Sequence, residues 1–223
     1  MKGRIPEDFS RVNRPVDKAG AYYSRLAPWY DFLASSEKKY ICQGLELLDP
    51  RPGQRILEIG FGTGYAQEHL ISTLKDGFSA AVDISPGMAF QAQKKLRLDG
   101  LLDRSGLTIS DSLPLPFPIN SFDSLFSSFT LELFDTPQIP VLLSECRRVL
   151  KPEGCLVVVC LSKDQPLGIM GRLYETFHDQ FPAIADCRPI PLCRLLEENG
   201  FNIIDSEHDR IWGIPVTMAA SRP

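Results

Sequence analysis

Ten residues, Arg55-Ile56-Leu57-Glu58-Ile59-Gly60-Phe61-Gly62-Thr63-Gly64, restrict the possible folds of this chain more than any other stretch. An apolar run with an acid near its end breaks into three glycines at alternate positions, Gly60, Gly62 and Gly64. Such a run reads as a buried parallel strand feeding a turn too tight for side chains. Glycine there opens backbone conformations closed to other residues and lets a ligand approach the main chain. From Ala66 to Leu74 apolar residues recur at helical spacing without Pro or Gly, so a helix is expected next. Strand, glycine turn and helix together describe a nucleotide-type site at the carboxyl end of a sheet strand.

The same alternation continues downstream. Phe78 to Asp83 predicts a second strand, and Pro86 to Leu98 a helix capped by Ser85 with Pro86 in its first turn. Strands are expected at 107–110, 122–127 and 155–161, with a helix at 137–150 ended by Lys151-Pro152-Glu153-Gly154. A helix at 191–199 stops at Gly200. Segments 201–208 and 214–220 then close the chain as an antiparallel hairpin through Arg210-Ile211-Trp212-Gly213. The expected fold is α/β: a doubly wound, Rossmann-like sheet of seven mostly parallel strands with helices on both faces.

Two segments do not belong to that alternation. Ala19 to Leu48 reads as two helices interrupted around Pro28 and rich in aromatic rings, among them Tyr22, Tyr23, Trp29 and Tyr30. These rings either pack a helix on the sheet edge or form a lid over a ligand. Residues 162–188 exceed an ordinary connection and carry Met170, Tyr174, Phe177 and Phe181 at roughly helical spacing. That insertion either covers core or shapes a pocket. The division expected is a tail and helical lid over 1–48 and an α/β unit over 49–223.

Bulk properties exclude several classes. With 223 residues, 43% of them hydrophobic, the chain can bury one core with room for a small lid. A net charge of −4 and a pI near 5.5 argue against nucleic-acid binding, and Lys94-Lys95-Leu96-Arg97 reads as a solvated helix face. No apolar run reaches the ~18 residues of a membrane span. Met1 to Gly20 mixes charges without the apolar core of a secretory signal. The six cysteines show no CxxC and no metal-ligand spacing; Cys146, Cys155 and Cys160 sit in apolar patterns, and a reducing cytoplasm suits them. His69, His178 and His208 are scattered and read as surface or structural residues.

The dinucleotide fingerprint G-x-G-x-x-G requires a third glycine where this chain has Tyr65, so nothing in the turn calls for a diphosphate. Asp83 closes the second strand about twenty residues past the turn, where an acid can accept both ribose hydroxyls. A helix-cap role for Asp83 competes with Ser85, which already offers one. Asp111-Ser112 follows the third strand, placed to meet an adenine amino group and ring. Met88 either lies on the adenine face or packs.

At this point the chain resembles the class I S-adenosylmethionine (SAM)-dependent methyltransferases. The matching blocks are ILEIGFGTG (56–64), AAVDISPGM (80–88), DSLPLPF (111–117), NSFDSLFSSFTLELF (120–134) and LLSECRRVLKPEGCLVVV (142–159). Within the class it is most similar to the ubiquinone/menaquinone-biosynthesis group, whose N-terminal tyrosine and Tyr-Asp motif YYSRLAPWYDFL resembles. The resemblance implies SAM as cofactor, with Glu58, Gly60, Gly62 and Gly64 holding its methionine end. Asp83 with Ile84 would meet the ribose, and Asp111, Ser112 and Met88 the adenine. Ser127 and Ser128 would line the floor beneath the sulfonium, with Tyr23 and Tyr30 closing over it. A small or lipophilic acceptor with a phenol- or quinone-like ring is implied, with peripheral membrane contact compatible. Phospholipid or other small-molecule N-methylation is the alternative, and an NAD-dependent reductase or a non-catalytic SAM-binding protein lies further off. Quinone C-methyltransferases tend to carry an Arg-Asn pair after the fourth strand, whereas this chain has Glu132-Leu133. Glu132 is a base, a cation-facing carboxylate or a helix-start acid.

Overall fold

The computed structural model describes residues 16–111, 113–180 and 187–223. The first fifteen residues, Ser112 and Phe181 lie outside them, so the expectations placed on these positions meet no structural counterpart.

Seven strands form one sheet: β1 (Arg55–Ile59), β2 (Phe78–Asp83), β3 (Ser105–Ile109), β4 (Phe122–Ser128), β5 (Leu150–Leu161), β6 (Asn202–Ile211) and β7 (Ile214–Arg222). Their order is β3-β2-β1-β4-β5-β7-β6. β1 to β5 run parallel, whereas β7 is antiparallel to both β5 and β6. Strand order reverses between β1 and β4, and at such a switch point the sheet leaves a crevice beyond the carboxyl ends of its strands.

Side chains of successive strand residues point to opposite faces, and the core divides accordingly. Leu57, Ile59, Leu156 and Val158 pack on one face with α6 (Ile139–Val149) and α8 (Leu192–Glu198). Ile56, Val157 and Val159 pack on the other with α3 (Lys38–Leu48) and α4 (Tyr65–Leu74). Each such buried side chain contributes about 1.5–3 kcal/mol. Gly44 lets α3 lie directly on the sheet, because a Cβ there would overlap Val159.

Three boundaries differ from expectation. The segment before β1 forms α1 (Val16–Leu26), a short α2 (Tyr30–Leu33) and α3, joined by 3-10 turns at Ala27–Trp29 and Ser35–Glu37, with Pro28 inside the first turn. β5 begins at Leu150, so Lys151 to Gly154 continue the strand. A register irregularity between Phe122 and Ser124 accommodates Pro152, which tolerates a bulge but not a regular ladder. β6 and β7 reach further than expected and meet at Trp212-Gly213, both at positive φ (51° and 84°), the geometry of a type I′ hairpin turn.

After β5 comes α7 (Ile169–Gln180), whose residues Ile169, Leu173 and Phe177 form an exposed stripe. Beside them Tyr174 donates its hydroxyl to the Cys187 carbonyl at 2.7 Å. Of the side chains expected to cover core or pocket, Tyr174 is half-buried, while Met170 and Phe177 face solvent. Among the described residues no helix is long and apolar enough to cross a membrane.

Candidate functional site

A cavity of about 390 Å³ opens beyond the carboxyl ends of β1, β2 and β4, within the range of small-molecule sites. Glu58, Gly60 and Gly62 line it from β1 and its turn, with Asp83, Ile84 and Met88 from β2 and the start of α5 (Pro86–Leu98). Asp111 and Ser128 follow β3 and end β4, and Tyr23 and Tyr30 come from the N-terminal helices.

All three glycines of the turn have positive φ (79°, 50° and 85°), but each serves a different end. A Cβ on Gly60 would overlap Thr130. A Cβ on Gly62 would project into open space, with Tyr30 Cε1 nearest at 4.0 Å, so its bare Cα forms the cradle. Gly64 does not line the cavity. A Cβ there would come 3.0 Å from that of Ala92, so it admits α5 against the turn.

The carboxylates are held before any ligand arrives. Asp83 accepts the Gly62 N–H at 2.9 Å and the Ser85 N–H at 2.8 Å, fixing the turn to the end of β2. Burial lifts its pKa above the usual range, against the pull of those backbone donors. Glu58 accepts from Gln67 Nε2 at 2.7 Å; burial pushes it up to about 8, and the Asp83 charge adds to the rise. Asp111 is exposed at the rim and accepts the Leu113 N–H at 3.2 Å.

The N-terminal helices are fastened to this frame at two points. Ser24 Oγ lies 2.9 Å from Ser85 Oγ and accepts the Gly87 N–H at 3.1 Å. Gly87 makes the approach possible, since a Cβ there would sit 2.6 Å from Ser24 Cα. Further along, the Thr63 hydroxyl in the glycine turn donates to Asp31.

Besides Gly64, two residues named from sequence lie outside the cavity wall. Ser127 Oγ donates to the Ile59 carbonyl at 3.1 Å, tying β4 to β1 rather than lining the cavity. Glu132 is fully buried and also outside the cavity wall. The 3-10 turn Leu131–Leu133 sends its side chain inward to accept the Leu161 N–H at 3.2 Å, while Leu133 and Phe134 face the cavity. Its Oε2 has no hydrogen-bond partner among the described residues, and burial pushes the carboxyl up to about 8. Nearby Arg188, also buried, donates to the Glu132 carbonyl, Thr136 Oγ1 and the Phe134 carbonyl at 3.3, 2.9 and 2.7 Å. The pair pins the loop after β4.

The sequence reading missed Asp31, Glu37, Lys38, Thr63, Asp135 and His178, all in the cavity wall. One signal was available: on a helix, position 178 lies one turn after 174 and on the same side as it.

Residues 56–154 match the family model described as "Methyltransferase domain". Sheet order, glycine turn and this match make the chain similar to the class I SAM-dependent methyltransferases. More particularly, the ubiquinone/menaquinone biosynthesis C-methyltransferase UbiE of Paracoccus denitrificans is 28% identical over 72% of this chain and 66% of its own length. The biotin biosynthesis bifunctional protein BioHC of Teredinibacter turnerae is 33% identical over 72% of this chain but 29% of its own. The chain thus spans less than two thirds of these relatives. In structure, the [4+2]-cyclase SpnF superposes with TM-score 0.77 at 19% identity, covering 98% of this chain and 97% of that one. A SAM-dependent methyltransferase from Aquifex aeolicus gives 0.65 at 19%, covering 90% and 98%.

The cofactor of the class is SAM, and the residues present fit it. The Gly62 cradle leaves room for a ligand against the main chain, and carboxylates close β2 and stand after β3 for hydroxyl and amino donors.

Proposed function

We propose that the protein transfers the methyl group of SAM to a small or lipophilic acceptor carrying a phenol- or quinone-like ring. The observation that carries this reading is the continuity of one cavity. Its carboxylate and glycine part runs into a part walled by Ile41, Phe129, Leu133 and Phe134. The likeness to a UbiE C-methyltransferase supports a ring acceptor.

When bound, SAM supplies a sulfonium methyl already activated for transfer, so the chain's task is alignment and exclusion of water. In this reading Asp83 accepts from the ribose hydroxyls, with Ile84 beside it. Asp111 and Ser112 meet the adenine, whose face Met88 covers. Glu58 and the main chain at Gly60 and Gly62 hold the methionine end, with Ser128 beneath the sulfonium. Tyr23 and Tyr30 cover the site from a lid formed within residues 1–48, and the insertion at about 162–188 completes the acceptor side. Gly64, Ser127 and Glu132 support these parts from behind. A cytoplasmic location and transient contact with a membrane carrying the acceptor agree with this reading.

Isothermal titration tests the cofactor half. Asp83→Ala removes an acceptor of two charge-assisted hydrogen bonds of about 1.5–3 kcal/mol each, so SAM affinity should fall about 100-fold or more. Unchanged affinity in a folded variant would sink the assignment. Labelled SAM incubated with metabolite extract, followed by mass spectrometry of the methylated product, tests the acceptor class.

A further inference from the structure

Beyond the carboxylates and the glycine turn, three separated segments build the rest of the cavity wall: Glu37 and Lys38 at the start of α3, Phe129 to Asp135 after β4, and His178 on α7. His178 is only 4% exposed yet borders the cavity. It contributes the only imidazole among the described lining residues. Imidazole is the side chain best suited to accept a proton near neutral pH, and Glu132 stands outside the wall. Glu37, Lys38 and Asp135 line the same cavity, and Arg172 and Glu175 stand on its own helix, the latter paired with Lys163 at 2.6 Å. The two carboxylates in that wall favour a neutral acceptor over an anionic one. No arginine stands among the described lining residues to receive one.

We propose that His178 is a catalytic residue of this site, taking the proton from a neutral hydroxyl on an apolar ring. The proposal rests on the methyltransferase reading above. The acceptor O–H bond breaks with its proton passing to the imidazole, and the freed oxygen pair forms the bond to the methyl carbon. The methyl–sulfur bond breaks with its pair remaining on sulfur, and the imidazolium returns its proton to water. The products are a methyl ether and S-adenosylhomocysteine.

His178→Asn tests this in three measurements on the full chain. SAM affinity by titration calorimetry should stay within about threefold of wild type, because the ring meets the acceptor and not the cofactor. Labelled-methyl incorporation from metabolite extract should fall about 100-fold at pH 7, and the variant-to-wild-type ratio should climb about tenfold per pH unit as phenolic acceptors ionise unaided. Independently of turnover, 4-nitrocatechol bound with S-adenosylhomocysteine should show the phenolate absorption band in wild type at pH 6, and the variant should lose it. A pH-independent ratio, loss of SAM affinity alongside activity, or no bound phenolate in wild type would each overturn the assignment. SAM binding without any labelled product in wild type refutes the methyl-transfer reading itself and takes this role with it.

Discussion

Glu132→Gln gives the most exacting test of how this fold handles its buried charge. The wild-type carboxyl is sealed behind the loop after β4, with one long hydrogen bond from Leu161 and its other oxygen unpartnered among the described residues. Its pKa stands at about 8 in the folded chain against an ordinary 4.5, and burial is the main cause. Between those values the folded chain keeps a proton that the unfolded chain has released. Stability therefore falls as pH rises from about 4.5 to about 8 and levels off above. The gap, at about 1.4 kcal/mol per pH unit, amounts to about 5 kcal/mol. Glutamine keeps an acceptor for the Leu161 N–H and cannot ionise, so this contribution disappears. Glu58 and Asp83 are also raised and act with the same sign, but they remain in both proteins and cancel in the comparison. Urea unfolding at pH 5, 6, 7 and 8 should show the variant gaining on wild type at each step, by up to about 1.4 kcal/mol per unit. A difference that stays constant across the four pH values would refute the argument, because it would mean that the carboxyl is ionised in both states throughout.

Two further outcomes follow from the glycine turn and its fastening. Gly60→Ala places a side chain at φ 79° and into Thr130, so it should cost about 3 kcal/mol or more, and Thr130→Ala should restore part of that loss; a melting temperature within about 2 °C of wild type would contradict this. Thr63→Val removes the hydroxyl that donates to Asp31, worth about 1 kcal/mol, so limited proteolysis within residues 27–37 should quicken and SAM affinity should drop about fivefold. An unchanged cleavage rate would show that the N-terminal helices are held by Ser24 and Gly87 alone.

The strands and the cofactor half were readable because their determinants are local. β1 declares itself by an apolar run that must be buried on both faces, and the turn by glycines whose positive φ and close neighbours leave no other residue type. Asp83 follows from its place at the end of the next strand. Where the reading failed, a local rule met a tertiary one. Lys151-Pro152-Glu153-Gly154 has the composition of a break, yet the bulge opposite Phe122 and Ser124 carries the strand through it. Glu132, for which base, cation-facing carboxylate and helix-start acid are all open in the sequence, stands in the first turn of the 3-10 segment after Thr130, which rotates it toward the backbone of β5. Spacing along the chain does not report that rotation.

The acceptor half was unreadable for a deeper reason. Glu37 and Lys38, the loop around Asp135, and His178 are separated by scores of residues and share no motif; they meet only because α3, the end of β4 and α7 converge on one cavity. The cofactor half, by contrast, lies almost wholly within 56–154, the stretch that the methyltransferase-domain family model matches. A protein named for quinone biosynthesis and one named for biotin biosynthesis each match the same share of this chain. Overall likeness can therefore establish the cofactor without selecting the acceptor. On the reading proposed above, selection resides in three small segments, two of them outside the matched residues, so substitutions at Glu37, Asp135 and His178 should alter which acceptor is methylated while leaving SAM affinity near wild type. Parallel loss of SAM affinity in all three would show that the two halves of the cavity are not separable, and that acceptor specificity is built into the cofactor frame itself.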